Sequence, residues 1–220
     1  MQLKDELVTL KAHLRLLQLG DFKMLTQFSN KQLMDELDQF KDQWKPYNPR
    51  KKINRWGLSV TSIDGKLSGI PDLDSLGEYN RKHNTKITNQ DITTLTPVYD
   101  KCPTLQKILE PWKPFLTRCH FIRLDQGGFF PEHIDCSHPG QDPVNEEVRL
   151  IGMVNNCHAN SYKFIYENKL KTFHDGTLHY FNANKEHCVF STCNNSIQLI
   201  IVLNFKPEVY NEILRQSSIK

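Results

Sequence analysis

A succession of short strand-like segments between residues 117 and 205 constrains the fold more than any other feature of this sequence. Pairs of turn-forming residues, such as Gly127-Gly128 and Asp175-Gly176, separate the segments. The expected strands are 118–125, 129–135, 147–156, 161–168, 177–181, 187–191 and 196–205. Seven short strands at this spacing favour two antiparallel sheets packed face to face, as in a β-sandwich or a double-sheet jelly roll.

The last of these segments is the most apolar. Residues 197–203 are almost continuously hydrophobic. Strands that are buried on both faces have this composition, whereas half-exposed strands alternate apolar and polar residues. We therefore expect this strand to lie in the middle of a sheet that is covered on both sides.

The sequence pattern of residues 1–55 predicts helices, which we expect to form a helical buttress against the core. Five leucines recur at intervals of four and three residues before Gly20: Leu3, Leu7, Leu10, Leu14 and Leu17. Ser29 or Asn30 can cap a second helix, whose apolar stripe comprises Leu33, Leu37, Phe40 and Trp44. Both helices are expected to pack on the outside of a sheet. A homodimer formed through the leucine stripe is the alternative.

Residues 56–220 are expected to form the core, packed with the buttress as one globular unit. Residues 56–63 predict a further strand, which the Asp64-Gly65 turn ends. Short helices are expected near 73–79 and 104–109, between long loops rich in Pro, Asn, Asp and Thr.

Composition excludes several classes of function. The net charge of +3, from 28 basic and 25 acidic residues, is too small to indicate nucleic-acid binding. No apolar run reaches the roughly 18 residues that span a bilayer, and the first six residues carry no apolar export segment. The six cysteines contain no CxxC pair. We therefore expect a cytoplasmic protein with reduced thiols and no membrane partner.

One short segment carries candidate chemistry. His133 and Asp135 are two residues apart, so on a strand both side chains point to the same face. His187 begins a later strand, 52 residues beyond Asp135, and can supply a third ligand. Two histidines and one carboxylate form the facial triad that binds iron(II) and leaves further coordination positions open. His179 is an alternative third ligand, and His120 is expected in the core or a pocket.

Three stretches resemble the iron(II)/2-oxoglutarate-dependent dioxygenase superfamily. Residues 118–135, RCHFIRLDQGGFFPEHID, resemble the strand pair that carries the His-x-Asp motif. Residues 148–154, VRLIGMV, and 175–187, DGTLHYFNANKEH, resemble the later arginine-bearing strand and the stretch before the distal histidine. The resemblance covers about residues 117–205 and is nearest the aspartyl/asparaginyl β-hydroxylase and small amino-acid hydroxylase branch.

The resemblance implies a mainly β fold with N-terminal helices, built on a double-stranded β-helix (jelly-roll, cupin-like) core. It implies iron(II) held by His133, Asp135 and His187, with 2-oxoglutarate as cosubstrate and dioxygen as the oxidant. The implied activity is hydroxylation of an amino-acid or peptidyl side chain, coupled to decarboxylation of 2-oxoglutarate to succinate. The loop 136–145, which follows the metal strand, is a candidate lid over the substrate.

The sequence departs from the family at the arginine that usually holds the far carboxylate of the cosubstrate. That residue lies about ten positions after the distal histidine, where this chain has Ile197 and Gln198. A buried carboxylate needs a cation, and a guanidinium suits it best. The expected substitutes are basic side chains: first Arg149, then Arg123 and Lys163. Arg149 can instead pair with Glu146 or Glu147 at the strand edge. Tyr162 and Gln198 are the other expected cosubstrate-binding residues.

The sequence is compatible with two other functions. The missing arginine is also compatible with a cupin-like metalloenzyme that does not use 2-oxoglutarate. The chain can alternatively be a non-catalytic jelly-roll module that retains the metal ligands without the chemistry. Binding of 2-oxoglutarate would distinguish the 2-oxoglutarate-dependent hydroxylase from both of these alternatives.

Overall fold

The computed structural model describes residues 20–49, 51–135 and 147–217. The predicted first helix with its leucine stripe, and the candidate lid 136–145, lie outside the described residues. The dimer and the lid therefore remain predictions.

Thirteen strands in the described part of the chain form three antiparallel sheets. The strands are β1 Phe22–Gln27, β2 Lys45–Pro46, β3 Arg55–Ser59, β4 Thr61–Ser62, β5 Thr94–Leu95, β6 Leu116–Leu124, β7 Phe129–His133, β8 Glu147–Asn155, β9 Tyr162–Tyr166, β10 Lys169–Lys171, β11 Thr177–Phe181, β12 His187–Ser191 and β13 Ser196–Asn204. The major sheet has the order β1-β11-β8-β13-β6-β3-β2, and the minor sheet has the order β10-β9-β12-β7. Strands β4 and β5 form a small separate ribbon.

Five α-helices accompany the sheets. They are α1 Asn30–Asp38, α2 Leu76–His83, α3 Pro97–Lys101, α4 Pro103–Leu109 and α5 Pro207–Ser217. Single 3₁₀ turns occur at Asn89–Asp91 and Lys113–Phe115. No helix in the described residues has the length and hydrophobicity needed to cross a membrane.

The two larger sheets form the double-stranded β-helix core that the sequence predicts. Side chains from both sheets meet between them, with Ile122 and Ile151 of the major sheet in one buried cluster with Phe164 and Val189 of the minor sheet. A second cluster, between the outer face of the major sheet and the helices, includes Leu199. The core is therefore layered as helices, major sheet and minor sheet.

Strand β13 lies between β8 and β6 in the major sheet, as its apolar sequence predicts. Its odd-numbered residues, such as Leu199 and Ile201, belong to the cluster on the helix side. Gln198 and Ile200 alternate with them and line the space between the sheets. Both faces of the strand are thus covered.

Helix α1 begins where the sequence places it. The Ser29 side chain accepts a hydrogen bond from the Gln32 backbone N–H at 3.3 Å, and Leu33 and Leu37 are buried. The helix ends at Asp38, earlier than predicted, so Trp44 lies beyond it. Strands β11 and β12 have the predicted bounds. Other predicted elements have shifted ends: the 56–63 strand is divided into β3 and β4, and the 73–79 helix begins at Leu76.

Several elements escaped prediction: β1, β2, β5, β10, α3 and α5. Strands β1 and β2 lie within the segment expected to be helical, so residues on both sides of the proposed boundary at 55 share the major sheet. A bulge between Met24 and Thr26 breaks the two-residue alternation that would have revealed β1. Helix α5 packs against β1 and buries Val209 and Ile213. The expected strand 161–168 also turns at Glu167 and Asn168, both at positive φ, and returns as β10.

Candidate metal centre

The three sequence-predicted ligands meet at the end of the minor sheet. His133 is the last residue of β7 and pairs directly with His187, the first residue of β12. Asp135 follows two residues later, and its backbone N–H donates to the Ala183 carbonyl at 3.0 Å. One ligand atom from each of the three side chains lies within 4.8 Å of the others. The local His-x-Asp geometry and the β7–β12 register together build this cluster.

Backbone carbonyls orient both imidazole rings. Nδ1 of His133 lies 2.7 Å from the Pro131 carbonyl oxygen, and Nδ1 of His187 lies 2.8 Å from the Lys185 carbonyl oxygen. A carbonyl oxygen only accepts, so each Nδ1 carries a proton and Nε2 is the nitrogen left to bind a metal. The two Nε2 atoms lie 3.5 and 3.6 Å from the Asp135 carboxylate oxygens. The backbone contacts thus turn both Nε2 atoms toward the carboxylate.

Asp135 is held in its charged form. Burial alone would raise the pKa of this carboxyl, but the Arg149 guanidinium and hydrogen bonds from His133 and His187 outweigh burial and hold the pKa well below its usual range. Arg149 Nη1 lies 3.2 Å from Asp135 Oδ2. The third donor is therefore an anionic oxygen over the ordinary pH range.

The donor set suits iron(II). Two imidazole nitrogens and one carboxylate oxygen, within 4.8 Å of one another, are the donor types of the facial triad of non-haem iron(II) oxygenases. The same donors also accept manganese(II), cobalt(II) or zinc(II).

The two histidines differ in their surroundings. The His187 ring is parallel to Phe164, with ring centroids 5.8 Å apart, and meets Phe181 edge-on at 5.6 Å. Only 5% of its side chain is exposed, compared with 33% for His133. Packing therefore fixes His187, whereas the His133 side chain is partly exposed to solvent.

The centre opens into a cavity between the sheets that contains about 560 Å³ of space, part of it open to solvent. The polar residues that line it besides the triad are Tyr47, Arg118, His120, Arg149 and Gln198.

Of the predicted cosubstrate cations, Arg149 reaches the cavity. Its Nη1 contacts Asp135, and its Nη2 lies 3.6 Å from Glu147 Oε2. Arg149 thus lines the cavity and also pairs with a glutamate at the strand edge. Arg149 is partnered by two carboxylates.

Arg123 and Lys163 point away from the cavity. On β6, Ile122 and Leu124 face the minor sheet, so the intervening Arg123 projects outward. Its guanidinium carbon lies 5.3 Å from the ring centres of both Trp44 and Trp56. The Lys163 ammonium donates to the Ala159 carbonyl.

Tyr162 and Gln198 form a neutral pair at the site of the missing arginine. The buried Tyr162 hydroxyl donates to Gln198 Oε1 at 2.7 Å. Burial, together with the nearby Cys157, raises the pKa of Tyr162 well above its usual range, so the hydroxyl stays neutral. This part of the wall supplies hydrogen bonds but no positive charge.

His179 belongs to the packing between strands and not to the metal cluster. Its Nε2 lies 2.9 Å from Thr177 Oγ1, and its ring meets Phe173 edge-on at 5.1 Å. Burial lowers its pKa to about 4. His187, and not the His179 alternative, accompanies His133 and Asp135.

Arg118 and Tyr47 are site residues that the sequence reasoning missed. Arg118 shares strand parity with His120 and Ile122, so it faces the same cavity. The two-residue spacing from His120 could have placed Arg118 in the cavity, but only once the inward face of β6 was known. Tyr47 comes from the segment expected to form the helical buttress, and no sequence pattern placed it near the metal ligands.

Comparison with known proteins leaves the family open. No family model and no curated protein matches this chain. Among solved structures, a Pseudomonas putida prolyl-4-hydroxylase is 11% identical, with a TM-score of 0.47 over 84% of this chain and 93% of that chain. A Burkholderia pseudomallei oxidoreductase of the 2OG-Fe(II) oxygenase family is 12% identical, with a TM-score of 0.48 over 89% of each chain.

A third similar structure is the viral collagen prolyl hydroxylase of Paramecium bursaria Chlorella virus-1 in complex with 2OG. It is 9% identical, with a TM-score of 0.45 over 85% of this chain and 97% of that chain. At these identities and TM-scores the likenesses assign no activity to this chain. The function has to be argued from the residues of the site.

Proposed function

We propose that this protein is an iron(II)- and 2-oxoglutarate-dependent hydroxylase that acts on an amino-acid or peptidyl side chain. The observation that carries the proposal is the convergence of the His133 and His187 Nε2 atoms on the Asp135 carboxylate, with both Nδ1 atoms bonded to backbone carbonyls. Iron(II) bound there would supply the site at which dioxygen oxidises 2-oxoglutarate to succinate and carbon dioxide while a hydroxyl group enters the substrate.

The chain's own residues have separate roles in this scheme. Arg149 keeps Asp135 ionised and orients it, which maintains the negative donor beside the two imidazoles. Phe164 and Phe181 pack against His187 and keep water away from the buried side of the centre. The open side, beside His133, is where a substrate side chain would enter.

The class of substrate is proposed from the sequence motifs. The His-x-Asp segment and the VRLIGMV strand resemble enzymes that hydroxylate aspartyl, asparaginyl or free amino-acid side chains. This resemblance supports an amino-acid or peptide side chain as the substrate.

Metal content tests the centre. His133→Ala removes one of three ligands, so we expect purified protein reconstituted with iron(II) under anaerobic conditions to retain almost none after desalting. His174→Ala is the matched control, because His174 is exposed and lies outside the cluster. Equal iron content in both variants and the wild type would reject the triad.

Turnover tests the reaction. We expect iron-loaded protein to release succinate from 2-oxoglutarate in a panel of amino acids and short peptides, and to add one oxygen atom to the active member. Mass spectrometry of that member identifies the modified side chain. Absence of 2-oxoglutarate binding to intact, metal-loaded protein would overturn the proposal.

A cupin-like metalloenzyme that does not use 2-oxoglutarate is the second candidate. The neutral Tyr162–Gln198 pair favours it, because no charge at that position balances a far carboxylate. Such an enzyme would bind metal normally and would show no saturable affinity for 2-oxoglutarate. The same binding measurement therefore decides between the two candidates.

A further inference from the structure

We propose that Arg118, assisted by Tyr47 and His120, binds the carboxylate of 2-oxoglutarate that lies away from the metal. This inference rests on the proposed function. It assigns the clamp to the wall formed by β6, and not to the strand after the distal histidine or to Arg149.

Arg118 lies at the right place on the cavity wall. Arg149 pairs with Val202 on β13, and the Val202 carbonyl accepts from Thr117, the β6 neighbour of Arg118. Arg149 and Arg118 thus flank β13 at the same level, with backbones roughly 10 Å apart at the usual strand spacing. Both line the cavity that contains the metal ligands. A molecule chelated beside Asp135 can therefore extend across β13 toward Arg118.

The Arg118 guanidinium is pre-positioned by the backbone. Its Nε donates to the Asp72 carbonyl at 2.8 Å, and Nη2 donates to the Asp74 carbonyl at 2.9 Å. These acceptors fix the plane of the group without carrying a full negative charge. The nearby Asp72 carboxyl accepts a hydrogen bond from Ser59. A bound carboxylate would give the Arg118 guanidinium a charge-assisted partner.

Two neighbours of Arg118 complete a carboxylate-binding surface. The Tyr47 hydroxyl lies 3.5 Å from Arg118 Nη2, and the Tyr47 ring centre lies 5.5 Å from that of His120. His120 is 3% exposed, and its Nδ1 makes no hydrogen bond within the described residues. Burial and the charges of Arg118 and Arg149 hold the His120 pKa well below its usual range, so the ring is neutral. A neutral ring with the proton on Nδ1 can donate to a carboxylate oxygen.

The other basic candidates fit this role less well. Arg149 already faces the carboxylates of Asp135 and Glu147 at 3.2 and 3.6 Å. Arg123 stacks on two tryptophans on the opposite face of β6. Arg118 combines a place in the cavity with neutral hydrogen-bond acceptors.

Paired 2-oxo acids test the clamp without relying on turnover. Manganese(II)-loaded protein is titrated calorimetrically with 2-oxoglutarate and with 2-oxobutyrate, which has the same 2-oxo acid group but no far carboxylate. We expect Arg118→Gln to weaken 2-oxoglutarate binding about 30-fold or more, because a charge-assisted contact is lost. Its affinity for 2-oxobutyrate should stay at the wild-type value. The wild-type preference for the dicarboxylate should therefore disappear.

Arg123→Gln is the matched control, since Arg123 lies on the same strand and faces away from the cavity. It should keep the full preference for 2-oxoglutarate. Tyr47→Phe provides a milder variant in case Arg118→Gln does not fold, and it should reduce the preference several-fold. An unchanged preference in Arg118→Gln, or in Tyr47→Phe if the former does not fold, would overturn the clamp and leave the proposed function standing. If the wild type binds neither 2-oxoglutarate nor 2-oxobutyrate, the proposed function is overturned instead.

Discussion

At the scale of single residues, the structure separates histidines by what their ring nitrogens contact. His133 and His187 bond backbone carbonyls through Nδ1, which leaves Nε2 for a metal. His179 bonds a threonine hydroxyl and packs against Phe173. All three lie on strands, so their sequence context is similar and only the tertiary structure distinguishes their roles.

His179 should make folding stability depend on pH. Its pKa is about 4 in the folded protein and about 6.5 when unfolded, so the unfolded chain binds an extra proton between these values. Its contribution is full above pH 6.5 and is lost as the pH falls toward 4. We expect this loss to be about 1 kcal/mol at pH 5 after allowance for partial exposure.

Urea unfolding of the wild type and His179→Gln at pH 7.5 and 5 measures this effect. The glutamine variant should lose less stability over that interval than the wild type does. Identical pH dependence in the two proteins would show that His179 is not buried in its neutral form.

The candidate metal ligands could be brought together from the sequence because part of their geometry is local. Residues two apart on a strand share a face, which brings His133 and Asp135 together before any tertiary contact is known. Arg118 could not be chosen in the same way, because β6 carries arginines of both parities, Arg118 and Arg123. Which one faces the cavity depends on the sheet that covers β6, and that is not a local property.

At the scale of elements, the Gly127-Gly128 turn leads directly into β7, the strand that ends at His133. Each of the two positions requires glycine for a different reason. Gly127 has φ +77° and open space around it, whereas a Cβ on Gly128 would lie 2.3 Å from the Asn54 carbonyl oxygen and 2.8 Å from that of Asp125. The turn therefore requires left-handed backbone at one residue and close approach of another chain segment at the next.

Alanine substitutions should distinguish these needs. Gly128→Ala forces backbone oxygens apart, so we expect it to lower the free energy of unfolding by about 3 kcal/mol. Gly127→Ala adds only local backbone strain and should cost about 1 kcal/mol. Denaturant titration of both variants checks the order, and an equal or smaller cost for Gly128→Ala would contradict the close packing.

Element prediction succeeded where periodicity was regular and failed where it was interrupted. Strand β11 was predicted with its observed bounds, Thr177–Phe181. Strand β1 was missed because the bulge at Met24 shifts its pattern by one residue. Helix α5 was missed although Pro207 and Glu208 begin it with ordinary helix-start residues. Its role as a cover for β1 could be seen only after β1 was placed.

At the scale of the whole molecule, the proposed metal site couples binding to folding. The ligands lie on β7, at one edge of the minor sheet, on the central strand β12, and just beyond β7. A metal bound there by the folded state alone stabilises it by mass action. Manganese(II) at 100 times its dissociation constant should therefore add about 2.7 kcal/mol to the free energy of unfolding.

Thermal unfolding with and without manganese(II) measures this coupling. The melting temperature of the wild type should rise with metal concentration, whereas that of His133→Ala should not. His174→Ala should follow the wild type, since it keeps all three ligands. Stabilisation of equal size in His133→Ala would place the stabilising metal at some other site.

Because His133 pairs directly with His187, a metal bound at the proposed site would also depend on the alignment of β7 with β12. A slip of one residue between β7 and β12 would turn one imidazole to the opposite face of the minor sheet. The metal would then find only two of its three donors. Metal affinity would thus report whether β7 is paired in the correct alignment. This edge strand is largely exposed, and its burial does not alternate regularly.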